Sequence, residues 1–213
     1  MKKLSTLLVG TSVVSFNLGW SETITTSGIS HLAAALKRSK TLDTLSLHNL
    51  ALTDDSVALL AVALKTNTSL KYLSLQGNRI TSAGAWSLSK ALEGNATLQH
   101  LDLRGNQIST VGAVALTQAL RYNSTLVTLD LGFNSIGTQG GQAFAQLLGE
   151  ESSLTQVGLA GNSLDGSVEG IFQALSGSSL QVLDVRFNGQ SNGTTSSEHI
   201  GRPYKVASCL CIV

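Results

Sequence analysis

Cysteine, proline and charge are all scarce in this chain, and each shortage closes off a class of protein. Of 213 residues only two are cysteines, Cys209 and Cys211, both within the last five positions. They cannot staple the body, so the fold does not rest on disulfides. The single proline, Pro203, also lies in the tail. A body without proline is compatible with many short, closely stacked helices and strands. Charged residues make up 13%, and 14 Lys+Arg against 13 Asp+Glu leave a net charge of +1. No basic stripe runs along the chain, which argues against nucleic acid or an anionic membrane as the main partner. Nor is there an uninterrupted apolar run of about 18 residues, so no membrane-spanning helix is expected.

What the chain does have is hydrophobic residues, 42% of the total, and a period. The apolar content predicts a folded chain, long enough for one sizeable core. Leu42-Asp-Thr-Leu45-Ser-Leu47 is followed 28 residues later by Leu70-Lys-Tyr-Leu73-Ser-Leu75. The series continues at Leu98, Leu126 and Leu154 and closes at Leu180 after a shorter step of 26. A degenerate first copy, Val13-Val-Ser-Phe16-Asn-Leu18, stands one residue out of step. Alternating apolar residues at the fourth and sixth positions predict a short strand with one buried face.

The ninth position carries Asn78, Asn106, Asn134, Asn162 and Asn188. An asparagine stacked on asparagines can satisfy backbone groups where the chain leaves the strand, so these five are read as a structural ladder. Leu50 and Ser21 occupy that position in the first two copies. The second half of each unit reads as a helix. Gly28, Ser56, Gly84, Gly112 and Gly140 recur at 28, and a Thr, Ser or Gly three residues earlier is the expected N-cap. Leu60/Ala63/Leu64, Leu88/Ala91/Leu92, Leu116/Ala119/Leu120 and Phe144/Leu147/Leu148 form the apolar stripe.

Three of the helices run into a glycosylation sequon, Asn67-Thr-Ser69, Asn95-Ala-Thr97 or Asn123-Ser-Thr125. The fixed interval favours a structural reading over a sugar acceptor. Asparagine just past a helix tolerates the left-handed conformation wanted there, so these three are expected to be helix stops. A fourth sequon at Asn192 lies off the period in a Gly/Ser/Thr-rich stretch.

Strand, asparagine, glycine and helix positions recur together over residues 13–188. That pattern closely resembles the ribonuclease-inhibitor-type leucine-rich repeat, the type found in the repeat domains of NOD-like receptors and in Ran GTPase-activating proteins. The resemblance implies an α/β solenoid, a horseshoe with a concave parallel β-sheet and convex helices built from 28-residue repeats. Residues 1–12 are then an N-terminal cap or signal-like segment, and residues 189–213 a flexible tail with an apolar end expected to fold back as a cap. Met1-Lys-Lys followed by Leu4–Val9 resembles a secretory signal without a clear cleavage site. The expected location is cytoplasmic, with secretion the alternative if residues near 1–20 act as a signal peptide.

Residues between the strand leucines face the concavity. Tyr72, His100, Asp102, Arg104, Asp130 and Phe133 fall on three adjacent strands, and Arg186 and Phe187 fill matching columns of the last repeat. Aromatics and arginine are the residue types that anchor interfaces, so these eight form the candidate partner-binding set. No serine or cysteine nucleophile with an orienting network accompanies them, and two aspartates without further ligands make a weak cation site. No catalytic residues, metal or cofactor are expected. Six strands of about five residues would present a face of about 400–500 Å², below the roughly 800 Å² per partner of a stable interface, so the loops must contribute. The expected function is a non-enzymatic, monomeric module that binds a protein through the concave face and adjoining loops. A GTPase activator of the Ran-directed type, using Arg79 or Arg104, is the alternative that the resemblance allows.

Overall fold

A computed structural model describes residues 12–20, 24–189 and 211–212. Its elements alternate strictly: β1 (Ser15–Asn17), α1 (Thr26–Arg38), β2 (Thr44–Ser46), α2 (Asp54–Leu64), β3 (Tyr72–Ser74), α3 (Ser82–Leu92) and β4 (His100–Asp102). They continue as α4 (Thr110–Leu120), β5 (Thr128–Asp130), α5 (Gly137–Leu148), β6 (Gln156–Gly158), α6 (Ser167–Ala174), β7 (Val182–Asp184) and β8 (Cys211–Ile212). The strands form one sheet in sequence order, each pairing in parallel with the next. Leu45, Leu73, Leu101 and Leu129 stand in register across β2–β5. The chain is therefore an α/β leucine-rich-repeat solenoid with a strand side and a helix side. Phe16 pairs with Leu45, so the out-of-step first copy joins the sheet through one extra residue.

Between the two sides runs a single core of leucines, isoleucines and alanines. Small residues set how close the helices lie. A Cβ added at Gly112 would meet Ile108 Cγ2 at 2.8 Å and Ala85 Cβ at 3.0 Å, so α4 and α3 pack with no room for a larger residue there.

The ninth-position asparagines form the expected ladder. Asn78 Nδ2 donates to Leu47 O at 3.0 Å and Leu75 O at 2.8 Å, and its Oδ1 accepts from Leu50 N at 3.1 Å and Leu52 N at 3.0 Å. Asn106, Asn134, Asn162 and Asn188 repeat the pattern along the stack.

The sequon asparagines depart from expectation. Positive φ occurs at Trp20, Asn49, Ala51, Phe133, Ser163, Asp165 and Phe187 among the described non-glycine residues, and not at Asn67, Asn95 or Asn123. They are instead a second buried ladder at the opposite end of the strands. Asn95 Nδ2 donates to Leu64 O, the last residue of α2, at 2.7 Å, and to Asn67 O at 3.3 Å. Its Oδ1 accepts from Thr97 N at 3.0 Å and Leu98 N at 2.8 Å. Asn67 reaches Leu36 O and Asn123 reaches Leu92 O in the same way. The sequon hydroxyls join in: Ser69 Oγ donates to Leu42 O at 2.9 Å and Thr97 Oγ1 to Asn67 O at 3.3 Å. Each sequon closes the helix of the preceding repeat, because the free carbonyls at that helix end need donors.

Helix starts also differ from a simple cap rule. Thr25 accepts from Gly28 N and Thr81 from Ala83 N, whereas Thr53 and Ser109 make no side-chain cap bond. At α5 the N-cap is Ile136, with Gly137 already in the helix. The strongest cap comes from the neighbouring repeat. Asp54 Oδ1 accepts from Thr81 N at 2.8 Å and Gly84 N at 2.9 Å, and Oδ2 accepts from Thr81 Oγ1 at 2.6 Å. A carboxylate there meets both the free N–H groups and the positive end of α3. At the next junction Ser82 and Ser109 face each other at 2.7 Å with no charge between them. Asp54→Ala should therefore lower the unfolding free energy by about 1–2 kcal/mol in a urea titration, while exposed Asp55→Ala stays within about 0.5 kcal/mol. Equal losses at both positions would mean that the cross-repeat cap adds nothing.

The N-terminal cap or signal-like segment falls at residues 1–11 outside the described set, as do residues 190–210 with the fourth sequon. The backbone of Cys211–Ile212 pairs with Val182–Leu183 at the edge of the sheet.

Candidate functional site

The strands are three residues long rather than five, and this divides the candidate set in two. Tyr72, His100, Asp102 and Asp130 lie on β3, β4 and β5, whereas Arg104, Phe133, Arg186 and Phe187 follow their strands in the loops leading toward the helices. The two halves are continuous, since Asp102 and Arg104 are two residues apart on one repeat.

On the strand half, Tyr72 and His100 are direct neighbours in register, and their rings sit 6.2 Å apart in a tilted arrangement. Beside them, Asp102 and Asp130 are paired across β4 and β5. Asp102 Oδ1 accepts from Arg104 N at 3.0 Å, and Oδ2 accepts from Ser74 Oγ at 3.2 Å. Asp130 Oδ1 accepts from Gly132 N at 2.8 Å. Burial holds the Asp102 carboxyl above the usual range. The Arg104 N–H opposes this, and the nearby Asp130 charge adds to it. Burial also raises the Tyr72 phenol, helped by the Asp102 charge. Asp130 leans over β6, where a Cβ at Gly158 would lie 2.5 Å from its Oδ1. Glycine at 158 is thus what lets the carboxylate lie there.

The loop half is an aromatic ridge. Column eight turns through the left-handed region in repeat after repeat: Trp20 (φ 61°), Asn49 (56°), Gly77 (66°), Gly105 (67°), Phe133 (55°), Gly161 (63°) and Phe187 (59°). Glycine and asparagine suit that conformation, while a bulky aromatic does not. Phe133 is 42% exposed and Phe187 73% exposed, and their rings approach to 6.1 Å across the intervening repeat. They meet above Gly161, where a Cβ would lie 2.9 Å from Phe133 Cδ1. Arg104 Cζ lies 4.8 Å from the centre of the Phe133 ring, a stacked cation. Arg186 grips Asp184 with Nε at 2.9 Å and Nη2 at 2.8 Å. That pairing holds the Asp184 carboxyl below its ordinary range and the exposed Arg186 guanidinium above its own.

The eight candidates therefore come together as one surface, with Tyr72–His100 at one corner and Phe133–Phe187 at the other. Trp20 belongs to the same ridge at its N-terminal end: 79% exposed, left-handed, with its ring edge-on to His48 at 6.4 Å. Sequence reading left it out because the first repeat is degenerate, although counting from Val13 as position one already puts Trp20 in column eight. The described residues include no group of three or more His, Cys, Asp or Glu placed to hold a metal ion. None of the described helices is long and apolar enough to cross a membrane.

A shallow groove of about 420 Å³ lies at the opposite end of the strands, lined by Ser69, Lys71, Thr97, Gln99, Thr125 and Val127. Its walls are the residues of the second asparagine ladder and their neighbours.

Similarity to known proteins points the same way as the fold. A family described as TMOD/LMOD leucine-rich domain matches residues 10–115, and one described as leucine rich repeat matches residues 122–145. No curated protein matches the sequence. A solved structure titled leiomodin-1 actin-binding site 2 resembles this chain with a TM-score of 0.52 at 24% identity, over 56% of this chain and 70% of that one. The tropomodulin C-terminal domain of Caenorhabditis elegans resembles it with a TM-score of 0.50 at 17% identity, over 82% and 90%. At these identities the likeness is one of fold. The match over residues 10–115 contains Tyr72, His100, Asp102 and Arg104 but stops short of Phe133 and Phe187.

Proposed function

Because the chain is a leucine-rich-repeat protein, we propose that it is a non-enzymatic interaction module that holds a protein partner on the strand side and its adjoining loops. One observation carries the proposal: Phe133 and Phe187 stay exposed in a left-handed backbone that Gly77, Gly105 and Gly161 adopt without strain. Aromatic side chains kept in solvent at a conformational cost are a signature of recognition rather than of folding. A stacked Arg104 and the Tyr72–His100 pair add the anchor types that dominate interface energetics. We also read the repeats as of the ribonuclease-inhibitor type, because a helix follows each of β1 to β6.

Actin is the partner to try first, because the structure titled as an actin-binding site of leiomodin-1 shares this fold and a TMOD/LMOD profile covers residues 10–115. The cytoplasm is the compartment that such a partner implies. No observation favours the GTPase-activating alternative, since Arg104 lies over the Phe133 ring and Arg79 is an exposed loop residue whose N–H bonds to Leu52 O at 2.9 Å.

Co-sedimentation of the full chain with filaments, and a pull-down with actin monomer, test the proposal directly. The wild type should bind, and a Tyr72/Arg104/Phe133 triple-alanine variant should bind at least thirtyfold more weakly, as loss of an anchor worth about 2 kcal/mol or more predicts. Binding by the wild type that the triple variant retains in full would place the interface elsewhere. No binding of actin in either form would remove actin and leave the partner to be sought among other proteins.

A further inference from the structure

The ridge also specifies the kind of segment it takes. We infer that Phe133, Phe187 and Arg104 dock a short stretch of the partner that carries a carboxylate beside an apolar side chain, an inference that rests on the protein-binding reading above.

The charge around the two phenyl rings favours that chemistry. Two arginines flank them, Arg104 on the Phe133 side and Arg186 next to Phe187 in sequence. Their states differ. Arg186 is satisfied within its own repeat by both oxygens of Asp184. Arg104 makes no ion pair among the described residues; the residue is half-buried, and its guanidinium lies over the Phe133 ring. A planar guanidinium held by stacking has already lost much of its freedom, so it can accept a carboxylate through two parallel N–H bonds at little further cost. The carboxylates near it do not compete well. Asp102 uses one oxygen on the backbone N–H of Arg104 and the other on Ser74, and Asp130 turns onto Gly132 N and over Gly158. Asp102 and Asp184 still act on Arg104 at longer range, which tempers its pull without saturating it.

The apolar half follows from the same geometry. Gly161 leaves the floor between the two rings bare, because any side chain there would collide with Phe133. A leucine- or phenylalanine-sized group lying across the rings would cover both faces, while its neighbouring acid reaches Arg104 at the rim. A basic segment drawn to Asp102 and Asp130 is the rival, and it would contact the Tyr72–His100 corner instead.

Fluorescence anisotropy with the full chain decides between them. Three fluorescein-labelled decapeptides alternate leucine with glutamate, with glutamine or with lysine. The glutamate peptide is expected to bind, with affinity at least tenfold above the glutamine peptide and falling in 0.5 M salt. Arg104→Gln should remove that tenfold advantage and leave the melting temperature unchanged, since the backbone bonds at position 104 persist. Equal binding of glutamate and glutamine peptides, tighter binding of the lysine peptide, an unchanged preference in Arg104→Gln, or no binding of any peptide would each overturn the inference. The actin assay is scored separately. Actin binding lost in the triple variant together with failed peptides sinks this inference alone; peptide binding with no actin binding sinks actin alone.

Discussion

Asn95→Ala is expected to destabilise the protein by about 3–4 kcal/mol. The side chain is 4% exposed and holds four backbone groups. Alanine leaves Leu64 O at the end of α2 and Leu98 N at the start of the next strand buried without their partners. Each such group costs about 1–3 kcal/mol when it loses its bond and water cannot replace it. The exposed neighbour Ala96→Ser is the control and should shift stability by less than about 0.5 kcal/mol. Urea unfolding followed by far-ultraviolet circular dichroism reads both variants. A loss below about 1 kcal/mol at Asn95 would show that water takes over the amide's bonds, and the second ladder would then be incidental.

The same geometry answers what the sequons mean. An N-linked sugar replaces a hydrogen on Nδ2, and in Asn95 both Nδ2 hydrogens are directed at backbone carbonyls, Leu64 O at 2.7 Å and Asn67 O at 3.3 Å. Asn67 and Asn123 are buried in equivalent places. A glycan at any of the three and the native fold exclude each other. The Asn-x-Ser/Thr spelling follows from the physics of the turn. The amide closes a helix, and the hydroxyl two residues on bonds back to the preceding repeat.

The period makes most of this fold readable in the sequence. Leucines at the first, fourth and sixth positions located the strands, and asparagine at the ninth located the first ladder, because each signal repeats wherever its physical job repeats. What the sequence concealed were the interactions between repeats. Asn95 looks like a helix stop when weighed against its own neighbours, but its partner Leu64 O belongs to the previous unit, 31 residues away. Asp54 looks like an ordinary first-turn acid of α2, yet it caps α3. Regular strand is shorter than the apolar pattern because the chain turns left-handed at column eight, although backbone bonds between repeats, such as Leu75 N to Asp102 O at 2.8 Å, continue beyond the three strand residues. At the candidate site the columns named the right residues without the conformation that gives them meaning. Gly77, Gly105 and Gly161 share a column with Phe133 and Phe187, and that alternation of glycine with phenylalanine was the available sign of a left-handed backbone.

Phe187→Gly turns that conformation into a test of function. A left-handed backbone costs a residue with a side chain roughly 1–2 kcal/mol, and glycine avoids this at the expense of about 0.5–1 kcal/mol of extra freedom lost on folding. Phe187 is 73% exposed, and among the described residues its ring meets only that of Phe133, so little packing is forfeited. The balance is a gain of about 0.5 kcal/mol, or a melting temperature higher by about 1–2 °C in a chain of this size. Partner binding should move the other way, by a factor of about thirty or more if the ring is an anchor. A residue kept for folding cannot show this pair of signs, because its removal would cost stability and leave binding intact or lower both together. Phe133→Gly separates the two effects less cleanly, since that ring also carries Arg104 and covers Gly161. Differential scanning fluorimetry and the binding assay on one preparation of Phe187→Gly give the answer. Higher stability with lost binding means that the chain keeps a strained phenylalanine for its partner. Lower stability with binding retained would make Phe187 a structural prop and move the recognition surface back toward Tyr72 and His100.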